Sequence, residues 1–193
     1  MSLLNDRIEL LENDLKTRPP RISVYHDLPF AIFRYEPDEE WTLRREARLL
    51  ATRLEEAGKK TCILSMAELL WKSIQESEGI EAVVELERGR GFLAAQDQVT
   101  TYLSDRDWRP LADLLVERLL SLDTSTEIVF LMRAAAMAPG IYHMSKLLDQ
   151  MQGKTSIATI LFYPGSIEGT TGLRFMDLKD REALGNYRVK IYG

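Results

Sequence analysis

Four short apolar runs set the terms on which this chain can fold. Residues 30–35, 61–66, 128–132 and 157–163 are each of strand length, and the stretches between them carry apolar residues three and four apart. Apolar strands alternating with amphipathic helices predict an α/β fold, a mostly parallel sheet flanked by helices on both faces and joined by right-handed crossovers. With 193 residues, 45% hydrophobic and 28% charged, the chain has globular composition and length enough to bury one sizeable core. The reading is a single α/β domain over residues 1–193.

The segments around the runs refine this picture. Leu4, Ile8, Leu11 and Leu15 form one helical stripe that stops before Pro19 and Pro20, giving an N-terminal helical appendage over residues 1–18. That helix either packs on its own domain or docks a partner. Pro37 suits a first helical position, with Asp38, Glu39 and Glu40 at the positive end of the helix dipole. Leu43, Ala47, Leu50 and Leu54 continue that helix, and Gly58 suits its C-terminal cap. Further helices are expected over residues 67–77, from Ile80 onward, around Leu111–Leu119, and from near Pro139 through Met151. Pro164 and Gly165 are expected to end the fourth run. Tyr187, Val189 and Ile191 alternate with Arg188, Lys190 and Tyr192, which predicts an edge strand over residues 187–192.

Charge and rare residues exclude several functions. A net charge of −5 argues against coating DNA or anionic lipid by charge, so little or no direct DNA binding is expected of the chain alone. One cysteine, Cys62, and two histidines, His26 and His143, supply neither a disulfide framework nor a zinc set. Cys62 lies in an apolar run as a small core residue, and His143 is expected on the polar side of its helix. No apolar run approaches the ~20 residues of a membrane span, and the first residues lack a signal pattern, so a soluble cytoplasmic protein is expected.

A parallel sheet often holds nucleotide beyond its carboxyl edge, which makes the loop after the first strand the first place to test. Glu36-Pro37-Asp38-Glu39-Glu40 has four carboxylates, no glycine and no lysine, the reverse of what a phosphate requires. Nucleotide is therefore not expected at that turn. Gly153-Lys154-Thr155 imitates the end of a phosphate loop, but Leu148 stands where the first glycine belongs and the triplet leads from helix to strand. Residues 165–172 form a glycine-rich loop after a strand, with Arg174 beside it. Its amides would suit an anion, although Glu168 lies inside it. Ser166 lacks a nucleophile-elbow context, because Glu168 replaces the second glycine. No catalytic residue and no cofactor is assigned. Arg88-Gly89-Arg90-Gly91 and Arg106-Asp107-Trp108-Arg109 remain as exposed candidates, each flanked by acidic residues. The second pairs arginine with tryptophan, a combination enriched at protein interfaces.

The C-terminal third carries a recognisable order of motifs. Residues 128–133, Pro139 and Leu147-Leu148 precede Thr159-Ile160-Leu161-Phe162-Tyr163-Pro164-Gly165. Gly172-Leu173-Arg174-Phe175, Leu178, Asp180 and Asn186-Tyr187-Arg188 then follow. In this order the chain resembles the BrxB family of bacterial BREX (bacteriophage exclusion) defence systems, departing from the pattern in a longer spacer over residues 181–185. The resemblance implies a small accessory subunit without an established catalytic activity, on a Rossmann-like or P-loop-like core that lacks the phosphate-binding loop. The subunits implied beside it are PglZ of the alkaline-phosphatase superfamily, a large AAA+ ATPase and an adenine-specific DNA methyltransferase. PglZ is the expected direct partner. Trp108, Arg109, Gly165, Glu168, Arg174, Tyr187 and Arg188 are the candidate partner-binding residues. Internal alternatives stay open: Arg174 pairing with Asp177 or Asp180, and Tyr187 lying in the core. The other reading is a nucleotide- or anion-sensing subunit that uses residues 165–172 and Arg174.

Overall fold

A computed structural model describes residues 3–24, 27–169, 172–178 and 187–193. Its elements follow in the order α1 (Leu3–Lys16), β1 (Phe30–Tyr35), α2 (Glu40–Glu56), β2 (Lys60–Ser65), α3 (Met66–Ser77), α4 (Ile80–Arg90), α5 (Phe92–Ser104), α6 (Leu111–Leu119), β3 (Glu127–Met132), α7 (Met144–Met151), β4 (Ala158–Glu168), β5 (Gly172–Phe175) and β6 (Lys190–Tyr192). Five strands lie parallel in the order β2-β3-β4-β1-β6, and β5 pairs antiparallel with the far end of β4. The fold is α/β with a mostly parallel sheet, as the alternating runs predict.

Connection handedness explains how the helices divide. The chain steps from β1 out to β2 in one direction, then returns through β3 and β4 and on to β6 in the other. Right-handed crossovers in opposite directions must use opposite faces. Accordingly α1 and α2 cover one face, packing Leu11, Leu15, Leu43 and Leu50 against Ala31, Phe33, Tyr35, Phe130 and Phe162. Helices α3, α5, α6 and α7 cover the other, over Phe30, Ile32, Val129, Leu131 and Leu161. Along β1 the two cores take alternate residues, the period-2 signature of a strand buried on both sides.

The N-terminal helix belongs to this structure as a layer. Leu4, Ile8, Leu11 and Leu15 are all buried, so its apolar stripe faces inward. Arg53 of α2 donates to Glu12 at 2.6 Å, and Tyr192 of β6 donates to Asp14 at 2.7 Å, with Lys190 on the same carboxylate.

Several boundaries differ from the sequence expectation. The helix expected from near Pro139 through Met151 is α7, which begins only at Met144; a 3-10 turn over Ala134–Met137 precedes Pro139, and Gly140 at φ +123° turns the chain between the two. His143 is thus the N-cap of α7, with no helical turn before it. Strand β4 continues through Pro164-Gly165 to Glu168. At that point it leaves its parallel partner β1, where Tyr35 registers with Pro164, and takes up the antiparallel partner β5. The tail strand is confined to Lys190–Tyr192 at the sheet edge, with Tyr187 and Val189 buried ahead of it. His26, residues 170–171, Asp180, the spacer at 181–185 and Asn186 lie outside the described residues. No helix in the described residues is long and apolar enough to cross a membrane.

Candidate functional site

The connection leaving β1 runs through α2 on one face. Leu173, Phe175, Tyr187 and Val189, which follow in β5 and ahead of β6, pack on the other, so the topological switch lies between β1 and β4 at the carboxyl end of the sheet. Open α/β sheets place ligands in the crevice at such a point. Here the β1 exit and the β4–β5 hairpin lie at that point.

The β1 exit satisfies itself. Glu36 and Glu39 form a capping box around the 3-10 turn Pro37–Glu39, and Glu36 N–H donates to Glu39 Oε2 at 3.3 Å. Backbone amides that would have to meet a phosphate are taken by the chain's own carboxylates. Arginines take up the remaining charge: Arg34 pairs with Glu36, Arg7 lies 3.9 Å from Glu39, and Arg44 lies 2.6 Å from Glu40. Buried Tyr35 donates its hydroxyl to Glu40, and burial together with that carboxylate pushes its phenol far above the ordinary range. Beyond this network Trp41 stands 77% exposed, with the Arg44 guanidinium 4.7 Å from its ring centroid. Trp41 was not singled out from the sequence. Its position two residues before Leu43, off the stripe of α2, is the signal that could have found it.

The hairpin is built around a close backbone approach. Gly165 at φ +145° lies against the Arg174 carbonyl, and a Cβ there would meet that oxygen well inside the 3.0 Å that real Cβ atoms keep. Its register sets Ser166 opposite Arg174 and Glu168 opposite Gly172, and Arg174 Nη2 donates to Glu168 Oε1 at 2.6 Å. Arg174 therefore pairs with Glu168, in place of Asp177. The pair is solvent-facing, and Ile167 beside it is 42% exposed. Below the hairpin, Tyr163 makes edge-on ring contacts with Phe175 and Tyr187, at 5.6 and 5.9 Å between centroids. Burial, then Tyr187, raises the Tyr163 phenol strongly. Tyr187 is a core residue under the hairpin, whereas Arg188 next to it is exposed. The structure thus gathers Gly165, Glu168, Arg174, Tyr187 and Arg188 into one region, in which Gly165 and Tyr187 build the shape and Glu168, Arg174 and Arg188 meet solvent.

Trp108 and Arg109 belong elsewhere, between α5 and α6. Trp108 is half-buried with its ring 5.0 Å from that of Tyr102, whose phenol is pushed up to about 12 by burial and then by Glu78. Arg109 bridges Glu76 of α3 at 2.7 Å and Glu117 of α6 at 2.9 Å, and its carbonyl accepts from the buried Ser73 hydroxyl at 2.6 Å. Both side chains knit helices together. The Gly153-Lys154-Thr155 triplet sits between α7 and β4, at the amino end of the sheet away from the switch point. There it lines a groove of about 260 Å³ with Leu120 and Leu122, and Lys154 lies 3.5 Å from Asp113. Cys62 is half-buried on the outer strand β2, where burial raises its thiol. Among the described residues no three histidine, cysteine or acidic side chains gather as a metal site.

A family model described as "BREX protein BrxB" matches residues 62–191, about two thirds of the chain, from β2 into β6. No curated protein and no solved structure matches the chain.

Proposed function

The chain belongs to the BrxB family and so to the components of BREX phage defence, and on that footing we propose that it is a non-enzymatic assembly subunit. It supports host DNA methylation and phage restriction by holding other subunits together, with PglZ as the expected direct partner and the ATPase or the methyltransferase as further ones. The observation that carries this reading is the β1 exit. At the point where this topology offers a nucleotide its phosphate site, the backbone amides and arginines are already paired with Glu36, Glu39 and Glu40. An anion arriving there meets carboxylates.

The β4–β5 hairpin is the surface we assign to partner contact. It projects beyond the end of β1, and it exposes an apolar side chain, Ile167, beside a charge pair that a partner's carboxylate can exchange into through the planar Arg174 guanidinium. As an anion sensor the same hairpin is less suited, since residues 165–168 are paired with β5 and Gly165 is closed against the Arg174 carbonyl, so its backbone is not presented as a cradle.

Thermal melting in the presence of ATP, GTP and short duplex DNA separates the readings, because a ligand that binds only the folded state raises the midpoint. The assembly reading expects no shift at millimolar nucleotide. A saturable shift that disappears in Arg174→Ala establishes the sensor instead.

A further inference from the structure

The turn between α4 and α5 carries the arginine-glycine step Arg88-Gly89-Arg90-Gly91. Residues 87–93 are all exposed. Phe92 and Leu93, at 60% and 71% exposure, are two large apolar side chains side by side in water. Gly91 at φ +88° reverses the chain between the helices, and a side chain at Gly89 or Gly91 would meet nothing within 4 Å. Helix α4 packs chiefly on α5, and α5 in turn on α3. Arg88 and Arg90 precede the apolar pair in the same turn, and among the described residues neither has a carboxylate within 4.0 Å, in contrast to Arg109, Arg174 and the arginines of the β1 exit.

We propose that this tip is a second docking surface, fitted to a protein partner that offers an apolar pocket rimmed by carboxylates. Phe92 and Leu93 enter the pocket, and the guanidinium groups of Arg88 and Arg90 take the rim, making the paired hydrogen bonds that planar guanidinium and carboxylate share. Phosphate-rich partners fit less well. An extended polyanion such as a nucleic acid or an anionic membrane also meets Glu81 and Glu85 further along α4 and the net charge of −5 of the chain. A rim of one or two carboxylates reaches only residues 87–93, where Arg88 and Arg90 stand against Glu87 alone. The inference rests on the assembly reading, for which a chain that joins other subunits needs a second surface besides the hairpin.

The test replaces Phe92 with the photo-crosslinking residue p-benzoylphenylalanine in the full chain, expressed together with the complete defence operon. On illumination the expected product is an adduct with one other subunit, mapped by mass spectrometry to a segment where aspartate or glutamate neighbours apolar residues. The charge reversal Arg88→Glu with Arg90→Glu in the same chain is expected to cut that adduct at least tenfold while leaving the circular dichroism of the purified protein unchanged. An adduct with nucleic acid, lipid or a second copy overturns the proposal, and so does an adduct indifferent to the charge reversal. If the chain co-purifies with other subunits but residue 92 gives no adduct, the tip is overturned and the assembly reading stands. If it neither co-purifies nor crosslinks, both fall.

Discussion

The carbonyl oxygen of Arg174 occupies the space that a side chain on Gly165 would need. This one approach joins the two strands of the hairpin where β4 exchanges its parallel partner for an antiparallel one. Gly165→Ala combines a positive φ with a steric clash against backbone, which cannot swing away as a side-chain end would. A loss on the order of 3 kcal/mol is expected in denaturant unfolding. A midpoint equal to that of the wild type would show that the hairpin does not close as described.

Arg174→Ala addresses the surface of the same hairpin. Its pair with Glu168 is solvent-facing, and exposed pairs contribute at most about 1 kcal/mol, so the fold and melting temperature should stay nearly unchanged. Capture of the partner subunit should weaken by about thirtyfold, the equivalent of about 2 kcal/mol for a central interface arginine. Titrating tagged variant against purified PglZ measures this. Wild-type affinity would remove the hairpin as the interface.

Trp108→Ala and Arg109→Ala separate packing from docking between α5 and α6. The half-buried indole packs on Tyr102 and against the core, so its loss should cost on the order of 2 kcal/mol in unfolding free energy. Arg109→Ala should cost about 1 kcal/mol or less, since its partners Glu76 and Glu117 are largely solvated. Trp108→Ala with unchanged stability and weakened partner capture would reassign that residue to an interface.

Acid should loosen α1 first. Burial opposes ionisation of Glu12 and Asp14, but Lys16 and Arg53 hold Glu12 below its ordinary 4.5, and Lys190 and Tyr192 hold Asp14 below its ordinary 3.8. A carboxylate with a lowered folded value stabilises fully above its unfolded value and loses that contribution as pH falls through the folded one. Stability should therefore be flat near neutrality and decline below pH about 4.5, with α1 amides gaining hydrogen exchange earliest. Asp14→Asn should lower stability at pH 7 by about 1 kcal/mol and shallow the acid slope. An identical acid slope in the variant would contradict the role given to Asp14.

What the sequence revealed of this fold follows from how local each cause is. Strand β1 was legible to the residue, because an apolar run meets Glu36-Pro37 and no distant partner alters that boundary. The far half of β4 was not, since Pro164-Gly165 looks like a stop until β5 supplies a new edge to pair with. The Arg174–Glu168 pair depends on the same register, which sequence spacing does not disclose. Tyr187 alternates like an edge residue, yet the ring of Tyr163 beneath the hairpin makes it core. Phe92 falls in phase with Ala95 and Val99, which are buried, but the first turn of α5 stands exposed, so periodicity alone assigns it to the core. The acidic β1 exit was fully legible, because charge and the absence of glycine and lysine are properties of composition.

The central claim is that this protein works by holding other subunits. The most direct measurement is capture of the tagged chain from cells expressing the complete operon, with nuclease treatment during lysis, followed by quantitation of every bound subunit. The account predicts that at least one subunit, PglZ foremost, stays bound in fixed proportion after nucleic acid has been digested. A chain that emerges alone, or only in nuclease-sensitive company, would contradict it.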